Sequence, residues 1–169
     1  HYTHSLGIIE LREAIAEHFL DRYKVEIHPD QVAVTNGTSP AMFMLFAALL
    51  ECGDQAIISD PHYACYPSFI SFVGGEVVKV PVYEEDGFQF RVQAIQERLT
   101  DRTKAIFINS PSNPTGNLLS AERMQKLADL GVPIVSDEIY HGLVYGAGRE
   151  AEHSILEFTD NCFVLNGFS

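Results

Sequence analysis

Basic side chains are scarce. Lysine and arginine number 11 against 23 aspartates and glutamates, for a net charge of −12. Duplex-binding surfaces draw most of their affinity from cations set on phosphates, so a nucleic-acid partner is excluded as the main function. A local anion site stays open, because backbone N–H groups at a helix N-terminus build one without lysine. Long apolar runs are lacking too. The longest, Ala41 to Leu50, has ten residues and is too short to span a bilayer. The opening His1-Tyr2-Thr3-His4 has no basic or apolar leader pattern, so no signal peptide is expected. There are only three cysteines and no CxxC. Cys52, Cys65 and Cys162 therefore read as reduced thiols of a cytoplasmic protein. The seven histidines show no HExxH and no paired Cys/His spacing, so no metal site is expected. His62 and His141 read as solvated loop histidines, with substrate contact as the alternative. GxGxxG, GxxxxGK[ST] and GxSxG are also absent, which removes the dinucleotide fingerprint, the nucleotide P-loop and the nucleophile elbow.

The remainder is ordinary globular sequence. The 169 residues are 46% hydrophobic and 20% charged, enough for one domain with a core. Apolar residues at Ile8, Leu11, Ile15, Phe19 and Leu20 predict a helix over 6–23. Residues 31–35 predict a strand ending at Asn36-Gly37. Thr38-Ser39-Pro40 opens a second helix, with a hydroxyl cap and an early proline, closed at Gly53. Strands follow at 55–59, 76–82, 104–109, 132–136 and 162–165. Helices are predicted at 64–73, 92–99 and 120–130, the last capped by Ser120. The acidic cluster Glu84-Glu85-Asp86-Gly87 reads as a solvated turn. Apolar strands alternating with helices imply an α/β fold, three layers deep, with a mostly parallel sheet.

Ligands of such sheets bind beyond the carboxyl ends of the strands. The residues found there are therefore the candidates. Gly37-Thr38-Ser39-Pro40 is either a plain helix cap or an anion site. Asp137 ends an apolar strand, where a buried carboxylate must be paired. It is either a structural ion pair or a partner that keeps a ring nitrogen protonated. Tyr140, three residues on, is placed to donate to the same ligand. Tyr63 is either a core plug or a stacking face for a planar ring. Asn113-Pro114-Thr115-Gly116 is a turn by its residue types.

Taken in order, these segments resemble the fold-type I pyridoxal-phosphate enzymes, specifically the class I/II aminotransferases. Tyr2-Thr3 through Gly7 with Glu10-Leu11-Arg12 is similar to the family's entry segment. Asn36-Gly37-Thr38-Ser39 resembles its phosphate loop, and Asp60-Pro61-His62-Tyr63 its ring-stacking loop. The most specific strings are Ser110-Pro111-Ser112-Asn113-Pro114-Thr115-Gly116 and Ser136-Asp137-Glu138-Ile139-Tyr140. Asn166-Gly167-Phe168-Ser169 resembles the lead-in to the Schiff-base lysine. The resemblance implies pyridoxal 5′-phosphate as cofactor. Gly37, Thr38 and Ser39 would hold its phosphate and Tyr63 would stack on its ring. Asn113 and Tyr140 would bind the 3′-oxygen, Asn113 would help place the substrate carboxylate, and Asp137 would pair with the ring nitrogen. Asp137 and Tyr140 are the implied catalytic residues. Tyr2 would reach the phosphate of a neighbouring subunit in a homodimer, and Ser169 would add a contact that Gly167, in the place of a common serine, does not. The Schiff-base lysine is implied after Ser169; none of Lys24, Lys79, Lys104 and Lys126 stands in that context. Residues 1–169 are thus expected to be an incomplete cofactor-binding large domain, without the small domain or that lysine, and inactive in isolation. The implied reaction moves an amino group between an amino acid and a 2-oxo acid. A β-eliminating C–S lyase and a catalytically silent binding domain are the alternatives.

Overall fold

A computed structural model describes residues 3–146 and 151–168. Five strands form one parallel sheet: β1 (Gln55–Asp60), β2 (Glu76–Pro81), β3 (Thr103–Asn109), β4 (Ile134–Asp137) and β5 (Cys162–Leu165), in the order β2-β1-β3-β4-β5. Side chains alternate between the faces of the sheet. Ile57, Ile106, Ile108 and Ile134 enter one core, with Ile95, Met124 and Leu127. Ala56, Ile58, Ala105, Phe107 and Val135 enter the other, with Met42, Phe46, Tyr66 and Ile70. The first core is closed by α4 (Val92–Gln96) and α5 (Ala121–Ala128), the second by α2 (Thr38–Leu49) and α3 (Tyr66–Phe72). Both faces of the sheet are covered, so the strands are apolar throughout rather than alternating with polar residues. The three-layer parallel α/β expectation is met.

The strand order fixes where a ligand belongs. From β1 the chain steps outward to β2, then returns to the far side of β1 to lay down β3. The direction of winding reverses between β1 and β3, and a crevice opens at their carboxyl ends. Asp60 ends β1 and Asn109 ends β3, and Asp137 of β4 stands in register with Asn109.

Several local expectations are corrected. Residues 31–35 are not a strand; Gln31 ends a 3-10 turn, Pro29–Gln31, and residues 32–35 form an extended segment whose Val34 N–H donates to the Leu6 carbonyl (2.9 Å). A strand needs a neighbour to pair with, and among the described residues none takes this one. Thr38 is not a hydroxyl cap. It is the first helical residue, Gly37 precedes it as the cap, and no side chain caps the end. That helix stops at Leu49, and α4 stops at Gln96, each short of its apolar pattern. The cap at Ser120 is as predicted, its hydroxyl accepting from the Arg123 N–H (3.3 Å). The acidic turn is a short 3-10 segment whose charge is partly met by Arg91, 2.6 Å from Asp86 and 3.3 Å from Glu85. The first helix, α1 (Ile9–Tyr23), packs on the Pro29–Gln31 turn through buried Arg12, which bonds Asp30 (2.9 Å) and the Pro29 carbonyl (3.0 Å).

Candidate active site

Asp137 is the last residue of β4 and is buried, 4% exposed. Its Oδ2 accepts a hydrogen bond from the Tyr66 phenol (2.7 Å) and its Oδ1 accepts from the Ile139 N–H (3.2 Å). Burial pushes its pKa up, and the Tyr66 and Ile139 bonds oppose that shift. Tyr66 is itself buried, and desolvation together with Asp137 holds its phenol protonated as a donor. The group is therefore a desolvated carboxylate with two donors and, among the described residues, no cation beside it, an arrangement with room in its chemistry for a cationic N–H.

The flanking loop is built from β3. Asn109 donates from Nδ2 to the Asp137 carbonyl (2.8 Å), and its Oδ1 accepts from the Asn113 N–H (2.6 Å). Ser110, buried, takes the Leu119 N–H on its hydroxyl (3.0 Å). The loop closes as a turn, with the Gly116 N–H donating to the Ser112 carbonyl (2.7 Å). These bonds set Asn113 so that its Nδ2 donates to the Tyr140 hydroxyl (3.2 Å). The structure thus brings Asn113, Tyr140 and Asp137 together from two strand ends. Tyr63, partly exposed at 38%, stands edge-on to Tyr66 with ring centroids 5.4 Å apart. It lies at the rim rather than plugging the core.

The N-terminus of α2 lies against α3, the helix that carries Tyr66. The first N–H groups of a helix have no acceptor within it, so the amides of Thr38 and Ser39 are available to an anion. Gly37 enters at φ 106° and ψ 172°, and a β-carbon there would meet nothing within 4 Å. Open space with a backbone that side chains rarely adopt makes glycine a requirement of the chain path, not of crowding. Gly37→Ala is expected to cost ~1–3 kcal/mol, read from denaturant unfolding. A loss near zero would show that the turn relaxes.

Tyr2 and Ser169 lie outside the described residues. None of the lysines stands on this rim: Lys24 follows α1, Lys79 lies within β2, Lys104 is the second residue of β3 and bonds the Asp101 carbonyl, and Lys126 pairs with Glu122 on α5. The two loop histidines are not solvated. His62 turns its ring back to the Ser59 carbonyl (2.8 Å), and His141 is buried against Tyr23. Sequence reasoning missed Tyr66, because it reads as one more core residue of a short helix; its role exists only through a residue 71 positions away. Replacing Tyr66 with phenylalanine removes the bond that lowers the pKa of Asp137. The carboxyl then rises further, and affinity for a cation at Asp137 is expected to fall ~10–100-fold. The acid limb of binding should move to higher pH, since a raised carboxyl pKa delays ionisation as pH increases.

The sequence matches the family model for aminotransferase class I and II over residues 1–169. A probable aspartate/prephenate aminotransferase of Aquifex aeolicus is 42% identical over 176 residues, covering 99% of this chain and 44% of that protein. A (5-formylfuran-3-yl)methyl phosphate transaminase of Methanocaldococcus jannaschii is also 42% identical, over 173 residues, covering all of this chain and 44% of that protein. The crystal structure of aspartate aminotransferase from Thermotoga maritima superposes with a TM-score of 0.93 at 40% identity, covering 99% of this chain and 46% of that one. The chain spans a little under half the length of the relatives it matches. The match runs through every segment of the rim, and this chain belongs to the class I and II aminotransferases.

Proposed function

We propose that the whole protein carrying this chain is a pyridoxal-phosphate-dependent aminotransferase, and that residues 1–169 are part of its cofactor-binding large domain. The observation that carries the reading is Asp137: a buried carboxylate held by two donors, at the carboxyl end of β4, one strand from the crevice between β1 and β3. The donor set fits the cofactor. A planar cationic ring, a ring oxygen and a phosphate call for a buried anion, a donor pair and free amides. Asp137, the Asn113–Tyr140 pair and Thr38–Ser39 are those groups.

When bound, pyridoxal phosphate supplies an electron-accepting ring and a carbonyl carbon that takes up the amino group. Asp137 would hold a proton on the ring nitrogen, and Tyr66 and the Ile139 N–H would keep Asp137 ionised for that task. Asn113 and Tyr140 would orient the 3′-oxygen, and Asn113 would also help place the substrate carboxylate. Tyr63 would cover one face of the ring and exclude water from it. Gly37, Thr38 and Ser39 would hold the phosphate by amides and hydroxyls, using helix-terminus charge where lysine and arginine are few. The resemblance assigns Tyr2 to the phosphate of a neighbouring subunit and Ser169 to the phosphate of its own. The partners are then an amino acid, a 2-oxo acid and a second copy of the chain. A two-fold dimer sharing residues across its interface is expected to sediment as a dimer when active; a fully active monomer would remove Tyr2 from the site. Among the described residues no helix is long and apolar enough to cross a membrane.

Two relatives of equal identity carry different substrate names, so likeness over this segment does not select the amino donor. The test is a product analysis of the full-length protein with candidate amino acids and 2-oxo acids. Transamination returns a new amino acid for each 2-oxo acid formed. A 2-oxo acid released with free ammonia and no acceptor consumed would mark the β-eliminating alternative.

A further inference from the structure

A second buried set of ionisable groups packs against the turn that carries Asp137 and Tyr140. Glu138 is fully buried. Its Oε1 accepts three hydrogen bonds, from Ser136 Oγ (2.9 Å), Ser154 Oγ (3.2 Å) and the Ile155 N–H (3.0 Å). Its Oε2 is buried and, among the described residues, has no hydrogen-bond partner. The group facing that oxygen is His141 Nδ1, 3.5 Å away, on a ring only 4% exposed. The same nitrogen lies 2.6 Å from the Tyr23 hydroxyl of α1. Tyr23 stands 3.5 Å from Glu152 Oε1, and Glu152 pairs with Arg22 (3.1 Å) and accepts the Gly142 N–H (2.8 Å).

Counting charge through this set identifies what is missing. Arg22 and Glu152 cancel. An ionised Glu138 beside a neutral imidazole would leave one buried negative charge with a bare oxygen, a costly state. One proton, on Glu138 Oε2 or on His141, removes it. We propose that Glu138 and His141 hold one proton between them, and that this proton makes them positioning residues for Asp137 and Tyr140. The positioning role rests on the cofactor site proposed above. Glu138 ties the turn to residues 154 and 155, Gly142 ties it to Glu152 of the same stretch, and His141 ties it to α1, so two distant segments converge on the turn. Losing the proton strands a charge inside this clamp, and the turn must open to water to relieve it.

The surrounding groups favour the protonated form. Burial pushes the Glu138 carboxyl up to about 7, and the nearby Glu157 pushes the same way. Burial lowers His141, so the imidazole is not the easy place for a charge, although Glu152 and Glu157 partly oppose this. Tyr23 is held protonated by burial and by Glu152 and Glu138, and the Cys162 thiol of β5, pushed up to about 12, stays neutral. The proton therefore resides chiefly on Glu138.

The test uses the full-length protein with pyridoxal phosphate as the probe. Glu138→Gln keeps an oxygen for the three donors and sets an N–H where the proton lies. It is expected to bind within about threefold of the unaltered protein below neutral pH, well under one pKa unit of differential interaction. Glu138→Ala leaves three donors unpaired and should bind far more weakly. Above pH 7 the unaltered protein should weaken by up to ~tenfold per pH unit, and Glu138→Gln should lack that limb. An infrared difference spectrum without cofactor should show a protonated-carboxyl band at neutral pH that Glu138→Gln removes. The proposal is overturned if that band is absent, if Glu138→Gln binds as poorly as Glu138→Ala, or if its alkaline limb is unchanged. A full-length protein that binds no pyridoxal phosphate overturns the functional reading and the positioning role with it, while the infrared band still decides the shared proton.

Discussion

Replacing Asp137 with alanine or asparagine in the full-length protein is expected to lower transamination ~10²–10³-fold while the protein stays folded. The magnitude is that of removing one preorganised electrostatic group from a reaction centre. Stability should change little in the asparagine variant, for a reason visible in the site. Burial raises the Asp137 pKa above its unfolded value. A group raised in this way favours folding most when protonated and loses that contribution as pH climbs through its folded pKa. At neutral pH the buried carboxylate is therefore not a source of stability. Asparagine isolates the charge, since its amide oxygen still accepts from Tyr66. Turnover near that of the unaltered protein in either variant would remove Asp137 from the reaction.

Phe107→Ala is expected to produce the largest loss of stability, ~3–5 kcal/mol in denaturant unfolding. Domains of this kind are stable by only ~5–15 kcal/mol, so the effect is a large share of the total. Phe107 sits on β3 and is 2% exposed, with its ring 4.3 Å from Tyr66 and 5.9 Å from Phe46. It is the apolar wall against which Tyr66 rests. Removing it opens a cavity that the close-packed sheet cannot refill, and it also frees the phenol that steadies Asp137. Cofactor affinity should fall along with stability. A loss below ~1 kcal/mol would mean that the site collapses around the gap, at the low end of core substitutions.

What was legible in the sequence was local. Apolar runs bounded by Gly, Pro and Asn marked the five strands, and Cys162–Leu165 and the Ser120 cap came out as read. Asp137 was legible because a carboxylate at the end of an apolar strand needs a partner wherever the chain folds. What was not legible depended on partners far along the chain. Tyr66 looks like a core residue until Asp137, 71 positions on, is brought to it. His141 looks like a loop residue until α1 delivers Tyr23 from 118 positions away. Residues 31–35 carry a strand pattern, but a strand is a property of a pair, and its partner is not written in the segment itself. Glu138 was passed over for the same reason: its three donors come from β4 and from residues 154 and 155.

The most direct measurement is the crystal structure of the full-length protein with pyridoxal phosphate bound. The ring nitrogen is expected within hydrogen-bond distance of the Asp137 carboxylate and the phosphate on the amides of Thr38 and Ser39. The 3′-oxygen is expected between Asn113 and Tyr140. A ring seated away from Asp137, or a phosphate held elsewhere than at the start of α2, would contradict this assignment.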